Sequence, residues 1–267
     1  MLLVTIFLFT SGCIQYVQVF DTKSTNAKIE NELYVFENDS LKITYSFWAE
    51  KGLMNFSIFN KLQKPLYIDW KKSSYIDNSV KLNYWIDEQK ETSRAYFGSY
   101  YYNGPRLEPG YAISDTYSAS VSSTLKIERI TFIPPASHYY RSPFYILPYS
   151  FSKLDDKSEI NEVTRNDMPN LQTKIIKKSF TKETSPIVFR NFLTFSLSES
   201  FENEFYIDNE FYVSSITEMD SRHFKYRKLD AKRNRGRFYE IDEKGNYIVL
   251  IDTKKKSSFY IYNPKNR

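Results

Sequence analysis

Four carboxylates near the ends of predicted strands are the residues of this sequence best suited to do chemistry. They are Asp69, Asp77, Asp87 and Glu88, in an aromatic-rich half of the chain. A glycoside hydrolase needs two carboxyl groups about 5 to 9.5 Å apart, beside rings on which a sugar can stack. Among 32 acidic residues some adjoin aromatic side chains by chance, so a carbohydrate-active hydrolase is the alternative hypothesis. For Asp69, beside Trp70 at a strand end, the main expectation is a carboxylate that caps a turn.

Other catalytic and metal-binding patterns are missing from the sequence. The two histidines, His138 and His223, lie far apart, and no histidines or cysteines have the spacing of zinc ligands. There is no Gly-x-Ser-x-Gly nucleophile elbow, and the seven glycines form no Gly-x-Gly-x-x-Gly phosphate loop. We therefore expect no catalytic residues, no metal site and no cofactor.

Aromatic residues offer a binding surface instead. Trp70 ends a predicted strand, and Tyr100, Tyr101 and Tyr102 form a run within an irregular segment, residues 87–123. Three consecutive residues cannot all face one side of a strand, so at least one of these rings should point outward. A cluster of exposed rings marks a site for a partner. These four residues are predicted to contact a ligand if they are exposed together, and to belong to the core if they are buried.

The first thirteen residues are an uncharged apolar run that ends at Cys13, the only cysteine of the chain. The run is too short to span a hydrocarbon core about 30 Å thick, but it has the length of a secretory h-region. Its end, Phe9-Thr10-Ser11-Gly12-Cys13, resembles the lipobox of bacterial lipoprotein signal peptides, in which small residues precede a cysteine that is lipidated on sulfur.

The lipobox resemblance implies cleavage before Cys13, so that residues 1–12 are a signal peptide, and two or three acyl chains on the cysteine. Two chains anchor a protein stably in a bilayer, whereas one gives marginal affinity. Because Ile14 and not an aspartate follows the cysteine, resemblance to the sorting rule of well-studied lipoproteins implies the outer membrane of the bacterial cell envelope. Residues 13–31 turn polar after Phe20 and are predicted to be the lipidated tether.

Residues 222–237 form a basic run in which eight of sixteen residues are lysine or arginine. Such a run suits nucleic acid, anionic lipid or polysaccharide, or a solvated hairpin whose charges protect an edge strand. An exported protein rarely meets nucleic acid, which favours the hairpin. The expected partners are the lipid bilayer, through acylated Cys13, and an envelope glycan or protein, with no nucleic acid. The sequence thus predicts a membrane-anchored lipoprotein that is a binding or structural component of the envelope.

Composition and periodicity predict a mainly β fold. The chain has 23 tyrosines and 21 phenylalanines, and aromatic side chains favour pleated, half-buried strands. Met54, Phe56 and Ile58 alternate with their neighbours, and Glu50-Lys51-Gly52 links this run to the preceding one as an antiparallel hairpin would. We predict an antiparallel β-sandwich with long loops and little helix. Its strands are expected at residues 33–36, 41–48, 54–59, 66–70, 80–86, 125–133, 144–147, 187–197, 204–219, 224–229, 237–241, 247–251 and 258–262.

Residues 56–76 carry a second, looser resemblance. A strand that ends at Asn60 precedes a turn and a second strand that ends at Trp70, a pattern that resembles immunoglobulin-like sandwich domains of exported bacterial proteins. The resemblance carries no catalytic motif and implies an immunoglobulin-like sandwich. The body is predicted over residues 32–267, with two sub-sheets, 32–148 and 187–262, joined by a polar loop segment with at most a short helix.

Overall fold

The computed structural model describes residues 15–85, 128–155, 158–165, 168–225, 239–241 and 247–264. Within these ranges the chain is mainly strand, and its one helical element is a single 3₁₀ turn at Ser221–His223. The prediction of a mainly β, antiparallel, sandwich-like fold is confirmed. In chain order the strands are β1 (Gln15–Ser24), β2 (Lys28–Glu30), β3 (Leu33–Glu37), β4 (Leu41–Ser46), β5 (Asn55–Asn60), β6 (Leu66–Asp69), β7 (Ser74–Asp77), β8 (Val80–Asn83), β9 (Ile130–Ile133), β10 (His138–Arg141), β11 (Glu159–Arg165), β12 (Met168–Ser179), β13 (Val188–Ser196), β14 (Glu204–Asp220), β15 (Tyr239–Ile241), β16 (Tyr247–Val249) and β17 (Ser258–Pro264).

Two sheets form the sandwich. The smaller sheet has the strand order β10-β5-β4-β3-β2, and the larger, ten-stranded sheet is built around β14. One edge of β14 pairs with β13 and then with β12, and the other edge pairs with β1, which pairs in turn with β17. The far edge of β13 pairs with β6 and β7, which carry β9 and β8. All of these pairings are antiparallel.

The core lies between the two sheets. Because side chains alternate along a strand, Leu41, Ile43 and Tyr45 of β4 face inward and are fully buried, as are Phe189 and Phe211 of the larger sheet. The rings of Tyr45 and Phe211 meet edge to face, with their centroids 4.9 Å apart. Each such buried side chain contributes about 1.5 to 3 kcal/mol to the free energy of unfolding. Much of this core is therefore aromatic.

The predicted antiparallel hairpin is confirmed. Ser46 lies opposite Asn55 next to the connection, and Leu41 lies opposite Asn60 at the open end. Gly52, in the connection, has a φ of +67°, a left-handed conformation that residues with a Cβ rarely adopt. A Cβ at this position would lie 2.7 Å from the Cγ atom of the buried Phe259. The glycine is required both by the backbone conformation and by the approach of this ring.

We expect Gly52→Ala to lower the free energy of unfolding by roughly 1 to 3 kcal/mol, because the new methyl group adds left-handed strain and displaces the Phe259 ring. Urea denaturation followed by tyrosine and tryptophan fluorescence measures the change. The double variant Gly52→Ala with Phe259→Leu should lose less than the sum of the two single changes, since the clash is relieved. Strict additivity would contradict the proposed contact.

The prediction that residues 13–31 are a tether is wrong for the part that the structure describes. From Gln15 the chain is β1, in which Val19 and Phe20 are buried. The polar side chains that gave the segment its linker-like composition have partners inside the fold. Gln18, fully buried, donates from Nε2 to the Glu218 carboxylate at 2.9 Å. Composition alone does not separate a polar linker from a strand whose polar groups are satisfied by distant residues.

The predicted division into sub-sheets 32–148 and 187–262 is also wrong. Strands β6 to β9, from the first range, belong to the larger sheet together with strands of the second range. The segment between the two ranges, predicted as a polar loop, contains the β11–β12 hairpin. That hairpin is joined to the sheet where Ile176–Ser179 pair with Ser215–Glu218 of β14, a contact between distant segments that local periodicity does not reveal.

Candidate binding surface

Trp70 is part of the core and does not lie on a surface. Its side chain is fully buried, and Nε1 donates to Thr131 Oγ1 at 2.8 Å. The Arg141 guanidinium lies over the indole, 3.9 Å from the ring centroid, and the Tyr84 ring packs against it edge to face at 5.6 Å. The prediction that Trp70 is an exposed ligand contact is therefore wrong, because Arg141 and the neighbouring rings cover it.

Several other predicted site residues fall outside the described part of the chain. The proposed ligand surface in residues 87–123 and the lipidation of the cysteine stay predictions for that reason. The residues concerned are Cys13, Asp87, Glu88, Tyr100, Tyr101 and Tyr102.

The prediction that Asp69 caps a turn is confirmed. Its buried carboxylate accepts hydrogen bonds from the backbone N–H groups of Lys71 and Lys72 at 2.9 and 3.3 Å. Arg129 Nη2 also donates to it at 2.9 Å, and this hydrogen bond raises the pKa of Arg129. Asp77 is buried as well and accepts from Asn78 Nδ2 at 2.6 Å. These contacts hold two strand ends in place and give the hydrolase hypothesis no specific support.

A strip of three rings lies on the outer face of the smaller sheet. Strand β10 pairs with β5 so that His138 lies opposite Phe59 and Tyr140 lies opposite Ser57. Since Phe56 and Ile58 of β5 face the core, the alternate positions face outward. The ring centroids of Phe59 and His138 are 4.6 Å apart, and those of His138 and Tyr140 are 5.8 Å apart with nearly parallel planes. We call Phe59, His138 and Tyr140 the ring strip.

The charges next to the ring strip are paired. Lys42 lies opposite Phe59 in the sheet, with Nζ 3.4 Å from Glu30 and 3.5 Å from Glu37. Lys61 Nζ lies 2.6 Å from Glu37, and its hydrogen bond lowers the pKa of the Glu37 carboxyl group. The positive charges of the two lysines are thus offset by the negative charges of the two glutamates. This part of the sheet face therefore presents rings with little net charge.

A second group of exposed rings lies on the outer face of the larger sheet. Tyr67 meets Phe132 edge to face at 5.7 Å, and Phe192 stacks on Tyr206 at 5.2 Å. Tyr206 is 69% exposed, the same fraction as Tyr140 in the ring strip. Ion pairs accompany these rings, and they join Arg190 to Asp208 and Lys72 to Glu204. Both faces therefore expose rings beside paired charges.

Only the start of the basic run is described. Arg222 Nη2 lies 3.0 Å from an oxygen of Asp220, and Lys225 Nζ lies 2.7 Å from an oxygen of Asp252. These two basic side chains are in ion pairs at the end of β14. Whether the rest of the run is a solvated hairpin stays a prediction.

Comparisons with known proteins identify no relative, since no protein-family model, curated protein or solved structure matches the chain. Across the ranges that the structure describes, no three histidine, cysteine, aspartate or glutamate side chains are grouped as a metal site requires. In the same ranges no helix has the length and apolar character to cross a membrane.

Sequence reasoning missed the ring strip. The alternation His138-Tyr139-Tyr140-Arg141 after two prolines was a usable signal for a short strand with two outward rings. The contribution of Phe59 could not be found in this way, because its position beside His138 depends on how β10 pairs with β5.

Proposed function

We propose that this protein is a lipid-anchored component of the bacterial cell envelope that binds a partner through an exposed face of its sandwich. The observation that carries the binding role is the ring strip, in which Tyr140 is 69% exposed beside the exposed His138. Rings clustered at a surface are costly for solubility unless a partner covers them. The apolar run that ends in Ser11-Gly12-Cys13 supports the anchor.

The position of β1 supports an anchor close to one end of the larger sheet. Strand β1 begins at Gln15, directly opposite Pro264 of β17, and the next residue, Tyr16, lies opposite Asp220 of β14. An acylated Cys13 would be separated from this strand by a single residue. The corresponding end of the larger sheet would then be held close to the bilayer, since one residue spans at most about 3.6 Å.

Replacement of the cysteine tests the anchor. We expect Cys13→Ser to abolish incorporation of a fatty-acid analogue and to move the protein from the membrane fraction to a soluble or unprocessed form. The matched variant Ser11→Ala keeps a small residue before the cysteine and should retain the label. Absence of label from the wild-type protein would refute the lipid anchor.

A further inference from the structure

We infer that the ring strip binds an uncharged oligosaccharide or polysaccharide, with a pyranose ring stacked on Tyr140 and His138. This inference deepens the proposed binding function by naming the class of partner. The apolar C–H face of a sugar ring is complementary to an aromatic surface, which combines apolar area with a polar edge. The hydroxyl groups of the sugar stay available to water or to polar side chains beside the rings.

The placement of the rings suits an extended chain. His138 and Tyr140 are two residues apart on one strand, so their Cα atoms are about 7 Å apart along it. Phe59 extends the strip onto the neighbouring strand. Strand β10 is the last strand of its sheet in the hydrogen-bonded order. Among the described residues no further strand of that sheet lies beyond β10, so a polymer could cross the rings and continue past this edge.

Polar groups next to the rings match the hydroxyls of a sugar. Ser57 lies opposite Tyr140 on one side and opposite Thr44 on the other. The hydroxyls of Thr44 and the buried Ser57 are hydrogen-bonded to each other at 2.6 Å, and the half-buried Thr44 hydroxyl keeps further capacity to donate or accept. On the adjoining row, Asn55 Oδ1 accepts from Ser142 Oγ at 2.8 Å. Rings flanked by hydroxyl and amide groups are the composition that carbohydrate contacts require.

Charge decides between an uncharged glycan and a polyanion. Lys42 lies opposite Phe59, and Lys61 follows Phe59 by two residues. Both lie within 3.5 Å of glutamate oxygens, so their charge is largely offset. A polyanion gains affinity mainly by releasing counterions at unpaired basic residues. The surface around the ring strip offers little of that gain, and a neutral sugar chain is the better match.

The test uses the full chain with Cys13→Ser, so that lipid does not compete for the probes. Saturation-transfer NMR with cellohexaose and with hexa-N-acetylchitohexaose should show transfer to pyranose C–H protons, and titration calorimetry gives the affinity. We expect Tyr140→Ser to weaken binding of the better probe at least tenfold, and Tyr140→Phe to stay within threefold of the parent protein. Tyr206→Ser is the matched control, because it removes a ring of equal exposure from the other sheet, and it should leave the affinity unchanged.

Three outcomes would overturn the inference. They are no binding of either neutral hexasaccharide, equal losses in Tyr140→Ser and Tyr206→Ser, and binding of heparin that exceeds binding of both neutral probes. The thermal midpoint of each variant is measured alongside. If it falls by more than a few degrees for Tyr140→Ser, His138→Ala takes its place as the variant that should lose affinity. Fatty-acid labelling of the wild type is a separate readout. If the wild-type protein is labelled but binds neither sugar, the glycan inference is refuted and the lipid anchor is supported. If it binds a sugar but takes up no label, the anchor is refuted and the glycan inference is supported.

Discussion

Trp70→Ala is expected to lower the free energy of unfolding by about 3 to 5 kcal/mol, the usual cost of removing a large buried ring. The indole is fully buried and lies between the Arg141 guanidinium and the Tyr84 ring. Its removal leaves a cavity and takes the hydrogen-bond donor away from Thr131. Equilibrium urea unfolding measures the loss, and Trp70→Phe should show an intermediate value because most of the packing remains.

Tyr140→Ala is the matched control for this prediction. It also truncates an aromatic side chain, but one that is 69% exposed, and changes at exposed positions usually stay within about 0.5 kcal/mol. Similar losses in the two variants would contradict the assignment of one ring to the core and the other to a surface. A Trp70→Ala protein of unchanged stability that no longer bound sugar would restore the indole as a ligand contact.

Alkaline pH is expected to destabilise the protein through its buried tyrosines. Burial raises the pKa of Tyr34 to about 12, and burial also raises the pKa of Tyr45. Both hydroxyls are hydrogen-bonded as donors, Tyr34 to the Thr22 carbonyl at 2.6 Å and Tyr45 to Asn209 Oδ1 at 2.7 Å. Ionisation inside the sandwich would remove those donors and place a charge in the core.

The sign of the effect follows from the protons bound in each state. The unfolded chain loses the proton of Tyr34 near pH 10, while the folded protein retains it to about pH 12. The contribution of Tyr34 to the free energy of unfolding is thus fully present below pH 10 and is lost as the pH rises from 10 to 12. The loss is about 3 kcal/mol for a difference of two units between the unfolded and folded pKa values. Unfolding in urea at intervals between pH 9 and pH 12 measures the slope. Tyr34→Phe should flatten it, and parallel curves for the two proteins would show that Tyr34 is not the source.

Strands could be predicted from the sequence where the alternation of apolar and polar residues is visible within a single strand. Strands β4, β5 and β14 alternate between core and surface, so their periodicity is visible without any partner. Strand β1 was missed because inward-facing Gln18 is satisfied by Glu218, which lies at the other end of the chain. The β11–β12 hairpin was missed because its place depends on pairing with β14.

The candidate site likewise contains features that could be predicted from the sequence and features that could not. The cap at Asp69 was predictable, since a carboxylate after a strand bonds to the N–H groups of the next residues. The burial of Trp70 was not, because the residue that covers it, Arg141, comes from β10. The ring strip needs two separate segments in register. Local chemistry could be inferred from neighbours in sequence, whereas exposure and assembly of rings depended on the pairing of distant strands.

The pairing of β1 sets the order in which the larger sheet can assemble. This strand comes first in sequence among the described strands, yet both of its neighbours, β14 and β17, lie within residues 204–264. Val19 and Phe20 become buried only when β14 and β17 have paired with β1. Contacts between such distant segments form slowly. Strand β1 consequently stays unpaired on the edge that faces β17 until the chain has been synthesised as far as β17. Under the lipidation proposed above, a modifying enzyme would reach Cys13 during that interval, before β1 is paired on both edges.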